Sequence, residues 1–128
     1  MKVVSNTSPL IALAKVGQLV GLQKLFPHLR IPPAVSQEFL ANCTLFERHV
    51  FLEALTEFIE VVPVKSLLSV KRQLGLGELE ALSLARQSSA DLLLLDDRKA
   101  SNEAREQQLV IASTRAVLKI AEERGIIG

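Results

Sequence analysis

The sequence predicts an α/β protein, a three-layer α/β/α sandwich around a central parallel sheet. Short aliphatic runs alternate with segments of helical periodicity, and such alternation implies right-handed crossovers between parallel strands, with helices on both faces of the sheet. The run at 91–95 is apolar on both of its faces, which is typical of the centre of a parallel sheet. Because the 128 residues contain no repeat and no linker, residues 1–128 are predicted to form a single domain.

A short buried strand at 2–5 is predicted to precede two helices. Ser8 is the predicted N-cap of the first helix, and Pro9 is its first residue, where a missing N–H costs nothing. Apolar residues at helical spacing continue this helix to Gly17, and the second helix is predicted at 18–26.

The middle of the chain is predicted to contain a very short strand, three helices and an edge strand. In chain order these are a turn leading into the short strand at 27–31, a helix opened by Pro32 and Pro33, an amphipathic helix at 44–57, the edge strand at 59–64 and a helix at 65–74 that Gly75 stops. The aliphatic and β-branched residues of 59–64 favour a strand, whereas Pro63 within it favours an edge position.

The last part of the chain alternates helix and strand twice more. A helix at 77–88 is predicted to turn its leucines inward and Glu80 and Arg86 outward. The elements that follow are the strand at 91–95, a charged helix at 97–107, a strand at 109–112 and a helix at 114–124 closed by Gly125.

Composition excludes several classes of protein. A hydrophobic content of 48% excludes intrinsic disorder, and Cys43 alone cannot form a disulfide framework, which favours a cytoplasmic location. No apolar run approaches the roughly 18 residues of a membrane span, and residues 5–9 interrupt any signal peptide. A net charge of +1 argues against a protein that coats nucleic acid through a broad basic face, but it is compatible with an enzyme that contacts nucleic acid at one small site.

Polar, oxygen-bearing residues follow three of the predicted strands, at 6–8, 96–97 and 113–114. Ligands of open parallel sheets bind beyond the carboxyl ends of the strands, so these residues are the first candidates for a functional site. Hard oxygen ligands favour Mg²⁺ or Mn²⁺, and the single Cys and two His residues show no competing soft-ligand spacing.

Each candidate also has a purely structural interpretation. Thr7, Ser8 and either aspartate of the 96–97 pair can act as helix caps, and Arg98 can pair with one of those aspartates. Glu78 opens a helix, where the helix dipole favours a carboxylate. Glu38 lies beside apolar residues that should face inward, which is unusual for an acid.

Other catalytic signatures are absent from the sequence. The glycines at 75 and 77 lack the third glycine of a dinucleotide-binding loop, and the following Glu78 would repel a phosphate. There is no phosphate-binding P-loop and no nucleophile elbow, and the two histidines offer no serine-protease-like triad.

Three segments together resemble a PIN domain, specifically a widespread prokaryotic PIN-like subfamily. They are VVSNTSPLIAL at 3–13, GELEA at 77–81 and LLLLDDRKA at 92–100. The resemblance implies an α/β/α sandwich and a Mg²⁺- or Mn²⁺-dependent ribonuclease. Many relatives are toxins of type II toxin–antitoxin pairs, which implies an RNA substrate, a small antitoxin protein as partner and a homodimer.

Transferred residue by residue, the resemblance implies a site of four catalytic positions: Asn6, Glu38, Glu78 and Asp97, all of them also metal ligands, with Asp96 beside them as a further ligand. Thr114 fits a polar position beside the acids, and Ser8 belongs to the first motif. Together with Arg98, Lys99 and Arg115, these two residues are the expected substrate contacts. If the site is active, the expected reaction is metal-assisted hydrolysis of a phosphodiester bond.

One position departs from the family pattern, which has Asp where this chain has Asn6. An amide oxygen can ligate a hard cation but brings no negative charge, so metal affinity is expected to fall. The chain ends at Gly128 where relatives often continue, so a further C-terminal element is expected to be missing.

Two alternatives remain open. The first is a catalytically degenerate PIN-like module that binds nucleic acid or a protein partner. The second is a phospho-receiver domain, although a receiver carries its acidic pair after the first strand and a Lys after the last, where this chain has Asn6 and Arg115. The phenylalanines of 44–58 either form a helix face for a dimer or pack in the core, and core packing is the favoured interpretation.

Overall fold

The computed structural model describes residues 1–126, and they form five parallel strands and seven helices. The strands are β1 Val3–Ser5, β2 Leu29–Ile31, β3 Ile59–Val61, β4 Leu92–Leu94 and β5 Ile111–Ala112. The helices are α1 Thr7–Lys15, α2 Leu19–Leu25, α3 Pro33–Ala41, α4 Leu45–Glu57, α5 Leu76–Gln87, α6 Arg98–Glu106 and α7 Thr114–Glu123. The predicted α/β/α sandwich is therefore confirmed.

The strand order β3-β2-β1-β4-β5 places β1 at the centre of the sheet. The chain runs from β1 outward through β2 to β3, and then returns to the other side of β1 for β4 and β5. The general preference for right-handed crossovers predicts α1 and α2 on one face of the sheet and α5 and α6 on the other, and α3 packs against both α1 and α5. The reversal of direction between β1 and β4 is where such sheets open a crevice for ligands.

The core forms because apolar residues of the strands meet apolar helix faces from both sides. Leu93, Leu94 and Val4 are fully buried in the central strands. Phe39 of α3 stacks on Phe51 of α4 with ring centroids 4.1 Å apart, an arrangement that adds about 1 kcal/mol to their burial. Phe51 and Phe58 thus belong to the core, whereas Phe46 is 61% exposed.

The first helix begins earlier and ends earlier than predicted. Asn6, with extended backbone angles, is the N-cap of α1, so the prediction that Ser8 caps the helix is wrong. Pro9 is the third helical residue, still within the first turn, where no backbone N–H has an intrahelical partner. Gly17 does not continue the helix, because its φ of +70° lies in the left-handed region that follows many helix ends.

The helix predicted at 65–74 is absent, and residues 62–75 follow an irregular path over α5 and α6. Side chains of these helices accept the hydrogen bonds that an intrahelical ladder would otherwise take. Gln87 accepts from the Lys65 N–H, Ser83 from the Leu68 N–H, and Glu103 from the Arg72 N–H. The leucine spacing in this segment did not reveal these distant partners.

Glu103 carries an ion-pair network that fixes the 62–75 segment on α6. Its buried carboxylate also accepts from the Arg72 guanidinium, which makes two further hydrogen bonds to Glu106. Burial acts to raise the pKa of Glu103, but hydrogen bonds from Arg72, Gln107 and Lys71 hold that pKa below its ordinary value. The hydrogen bond from Arg72 likewise lowers the pKa of Glu106.

Glu80 does not face outward as predicted. Its carboxylate is half-buried and accepts a hydrogen bond of 2.9 Å from the backbone N–H of Ala34, in the first turn of α3. That N–H has no partner within its own helix, so Glu80 joins α5 to α3 by satisfying it. Among the described residues, no helix has the length and apolar character needed to cross a membrane.

Candidate functional site

The residues that follow β1 and β4 lie next to each other at the carboxyl end of the sheet. Ser5 lies opposite Leu94 in the parallel register, and the Asn6 N–H donates a hydrogen bond of 2.9 Å to the Leu94 carbonyl. The chain therefore leaves both strands side by side, with Asn6 on one and the 96–97 pair on the other. The order of the strands reverses at this point, which is where ligands generally bind in open parallel sheets.

Asn6 holds a buried polar atom without a partner. The residue is 2% exposed, its side chain makes no capping hydrogen bond, and Oδ1 lacks a hydrogen-bond partner anywhere in residues 1–126. A buried oxygen without a donor costs about 1–3 kcal/mol. Asn6 is therefore the described residue whose buried side-chain oxygen has an unmet capacity to accept a hydrogen bond or to ligate an ion.

Glu38 of α3 is fixed by hydrogen bonds from two other helices, α1 and α5. Thr7 Oγ1 donates to Glu38 Oε2 at 2.6 Å, and the Gly77 N–H donates to Oε1 at 3.1 Å. A Cβ on residue 77 would meet both oxygens of the Glu38 carboxylate, so any residue other than glycine there would displace the carboxylate from its observed position. Neither contact follows from sequence spacing, since Thr7 and Gly77 lie 31 and 39 residues away from Glu38.

Glu78 shares the first turn of α5 with Gly77 and therefore lies near Glu38. Its side chain folds back over Gly75, where an added Cβ would lie 3.2 Å from Glu78 Oε2. The side chain is half-buried, and none of the side-chain hydrogen bonds described among residues 1–126 involves its carboxylate. The helix dipole favours its negative charge at this position.

The adjacent aspartates have different partners. Asp97 is the N-cap of α6, and its Oδ2 accepts from the Ala100 N–H at 2.9 Å. Asp96 instead binds Thr114 at the start of α7, with Oδ1 accepting from its N–H at 2.7 Å and Oδ2 from its Oγ1 at 2.6 Å. Both are exposed, and the structural interpretation of Asp97 as a cap holds without excluding a further role for its second oxygen.

The predicted substrate contacts do not share one surface. Arg98 lines a groove of about 630 Å³ between α6 and α7, while Arg115 lines a second groove of about 810 Å³ on the far side of the α7 start. Asp96 borders both grooves. Lys99 is exposed but lines neither groove. Ser8 is exposed in the first turn of α1.

The oxygen atoms of the candidate site are of the chemical type that binds a hard divalent cation. Amide and carboxylate oxygens are the ligands of Mg²⁺ and Mn²⁺, and the unpartnered Oδ1 of Asn6 is an atom that such an ion would satisfy. Within the part of the chain that the structure describes, however, no group of three or more His, Cys, Asp or Glu side chains is gathered closely enough to hold an ion. Hydrogen bonds with the chain hold Glu38, Asp96 and Asp97 in their observed positions.

Comparison with known proteins supports one family. The family model described as "DUF3368: PIN domain" matches residues 2–128. A solved structure of a PilT N-terminus domain protein from the hyperthermophilic archaeon Sulfolobus solfataricus P2 superposes with a TM-score of 0.68. It is 20% identical in sequence, and the alignment covers 94% of this chain and 93% of that one, a likeness that shows the fold alone. No curated protein sequence matches the chain.

Proposed function

The chain belongs to the PIN domain family, whose members are generally nucleases that depend on divalent metal ions, and from that premise we propose that it is a metal-dependent ribonuclease. The substrate is the phosphodiester backbone of RNA, and the residues that carry the reaction are Asn6, Glu38, Glu78 and Asp97. The observation that supports this most strongly is the buried, unpartnered Oδ1 of Asn6 at the carboxyl end of the central strand.

The chain's own residues prepare the site in distinct ways. Thr7 and Gly77 hold the Glu38 carboxylate, while the Ala100 N–H holds one oxygen of Asp97 and leaves the other available. Asn6 Oδ1 and the Glu78 carboxylate have no partner from residues 1–126, so both can turn to an ion. A bound Mg²⁺ or Mn²⁺ would supply an activated water and neutralise charge on the phosphate.

Asp96 acts beside this site by joining two segments. Its two hydrogen bonds to Thr114 tie the loop after β4 to the start of α7. Asp96 is therefore less available as a direct ligand than Asp97, and its role in the proposal is to position the loop that carries Asp97.

A catalytically degenerate binding module is the second candidate, and two observations favour it. Asn6 provides no negative charge at the family's first acidic position, and no cluster of three potential ligands is assembled within residues 1–126. Calorimetric titration with Mn²⁺ discriminates the two, because a saturable site supports the nuclease and an absence of binding supports the module.

The proposal extends to partners. We infer a toxin of a toxin–antitoxin pair, held inactive by a small antitoxin, dimeric and cytoplasmic. Exposed apolar residues at the start and middle of α4, namely Leu45, Phe46 and Leu52, support an interface on that helix. Size-exclusion chromatography with light scattering measures the oligomeric state, and a monomer at all concentrations contradicts the dimer.

Cleavage by the purified protein tests the ribonuclease. We expect Mn²⁺- or Mg²⁺-dependent cleavage of RNA that Asp97→Asn abolishes, since asparagine still caps a helix but removes the charge. Asp91→Asn is the matched control, because Asp91 precedes β4 at the other end of the strand and binds the Lys2 N–H. Cleavage that persists in Asp97→Asn, or is absent from the unsubstituted protein, contradicts the proposal.

A further inference from the structure

A groove between α6 and α7 lies outside the set of residues that the proposed reaction uses. It encloses about 630 Å³ and begins at Asp96, beside the loop that carries Asp97. Its walls carry Arg98, Ser101, Asn102 and Arg105 from α6, and Ser113 from the segment that caps α7. The groove therefore combines two guanidinium groups with several neutral hydrogen-bonding side chains.

The charges of α6 are divided between its two sides. The acidic residues Glu103 and Glu106 are both bound by Arg72 of the 62–75 segment. The basic residues Arg98 and Arg105 both face the groove. They are seven residues apart, close to two helical turns, so their backbones are separated by about 10.5 Å along one face.

Both guanidinium groups keep their charge available to a ligand. The ion pairs found in residues 1–126 involve Arg30, His49 and Arg72, and neither Arg98 nor Arg105. Arg105 Nη1 donates at 3.2 Å to Asn102 Oδ1, a neutral acceptor that orients the group without cancelling its charge.

The one acid on the groove wall is already engaged. Both carboxylate oxygens of Asp96 accept hydrogen bonds from Thr114. Thr114 is neutral, so Asp96 keeps its negative charge, but both of its oxygens already have donors and the two arginines outnumber it on the groove wall. Guanidinium groups bind phosphate oxygens in a forked geometry that a lysine cannot reproduce.

We propose that the α6–α7 groove binds backbone phosphates of single-stranded RNA beyond the point of cleavage, with Arg105 and Arg98 as the phosphate-binding residues. This inference rests on the proposed ribonuclease, because the groove is continuous with the Asp96–Asp97 loop. Ser101, Asn102 and Ser113 supply hydrogen bonds to phosphate or ribose hydroxyl groups. None of these contacts reads a base, so binding is expected to be largely independent of sequence.

RNA binding without metal tests the groove separately from catalysis. Fluorescence anisotropy with a labelled single-stranded oligoribonucleotide in EDTA measures affinity when cleavage cannot occur. We expect Arg105→Gln and Arg98→Gln each to weaken binding roughly tenfold. Each should also reduce the slope of log K against log salt by about 0.7, the value for one phosphate contact on a single strand. Arg105→Lys should recover only part of the affinity, because the forked contact is lost.

Arg48→Gln is the matched control, since Arg48 is an exposed arginine on α4 and lines neither groove. Equal affinities and salt slopes for Arg48→Gln and Arg105→Gln overturn the proposal, as does an unsubstituted protein that binds inorganic phosphate but no RNA. The two proposals fail separately. Loss of RNA binding in Arg105→Gln without any metal-dependent cleavage supports the groove and contradicts the nuclease. Cleavage that is lost in Asp97→Asn but unchanged in Arg105→Gln, with unchanged RNA affinity, supports the nuclease and contradicts the groove.

Discussion

The backbone N–H of Gly77 donates to Glu38 Oε1 at 3.1 Å, and a Cβ at position 77 would lie 2.4 Å from the other oxygen of the same carboxylate. One residue of α5 thus both holds the side chain of α3 and leaves the space that it occupies. The contact joins α5 to α3, and Thr7, which follows β1, binds the same carboxylate.

Gly77→Ala is expected to displace the Glu38 carboxylate. In most helices this change stabilises by roughly 0.5–1 kcal/mol, but here the added methyl group meets the carboxylate. We expect a lower melting temperature and loss of cleavage. Gly75→Ala provides the comparison, because its Cβ would lie 3.2 Å from Glu78 Oε2, whereas the carboxylate that Gly77→Ala meets is closer and is held by Thr7 and the Gly77 N–H. A Gly77→Ala protein as stable and active as the unsubstituted one contradicts the tight approach.

Asn6→Asp should make folding more dependent on metal. A buried carboxylate without a partner should lower the free energy of unfolding of the metal-free protein by about 2 kcal/mol. The added charge should strengthen Mn²⁺ binding, and a ligand that binds only the folded state raises its stability. Thermal unfolding with and without Mn²⁺ measures both effects. If Mn²⁺ raises the melting temperature of both proteins equally, Asn6 does not face the ion.

Thr7→Val should loosen Glu38 while keeping the shape of the buried side chain at position 7. The substitution removes the 2.6 Å hydrogen bond to Oε2 and leaves the Gly77 N–H as the remaining donor. A stability loss of about 1–2 kcal/mol is expected, together with slower cleavage. Thr7→Ser retains the hydroxyl and is the control. Identical urea midpoints for the Val and Ser variants would show that the hydroxyl contributes nothing.

Glu103 should make the protein sensitive to acid. Because its pKa is lower in the folded protein than the ordinary value of 4.5, the unfolded chain binds more protons as the pH falls below 4.5. Its stabilising effect is therefore complete above pH 4.5 and is lost as the pH falls through the folded-state pKa. Chemical denaturation at a series of pH values measures this slope. Glu103→Gln should lower the free energy of unfolding at neutral pH and make it fall less steeply as the pH is lowered below 4.5. Glu123→Gln, at an exposed position, should change neither quantity.

The sequence predicts the sheet well because its information is local. Aliphatic runs identify β1 and β4, and the polar residues that follow them lie side by side at the carboxyl ends of these strands. The prediction of a helix at 65–74 is wrong because the backbone of that segment finds its hydrogen-bond partners on later helices. These partners are Ser83, Gln87 and Glu103. Periodicity does not detect a backbone that is satisfied by distant side chains.

In the candidate site, too, the sequence identifies some residues by their local position but not the partners that tertiary packing brings to them. Position alone singles out Asp96 and Asp97 after a strand and Glu38 beside an apolar stripe, whereas Glu78 enters the candidate site only through the family resemblance. The partners that hold Glu38 are not identifiable from position, because Thr7 and Gly77 are brought to it only by tertiary packing of three helices. The glycine-containing start of α5 was the available signal for Gly77, but the sequence offers no reason to connect it with Glu38.

The unequal support of Glu38 and Glu78 has an entropic consequence for ligand binding. Immobilising a glutamate side chain costs up to about 2 kcal/mol of rotamer freedom. For Glu38 that loss occurs during folding, because two donors already restrict its torsions. Glu78 retains its freedom until a ligand arrives. Under the proposed function, Glu38 is thus preorganised for an ion, whereas the ordering of Glu78 subtracts from the ion's affinity.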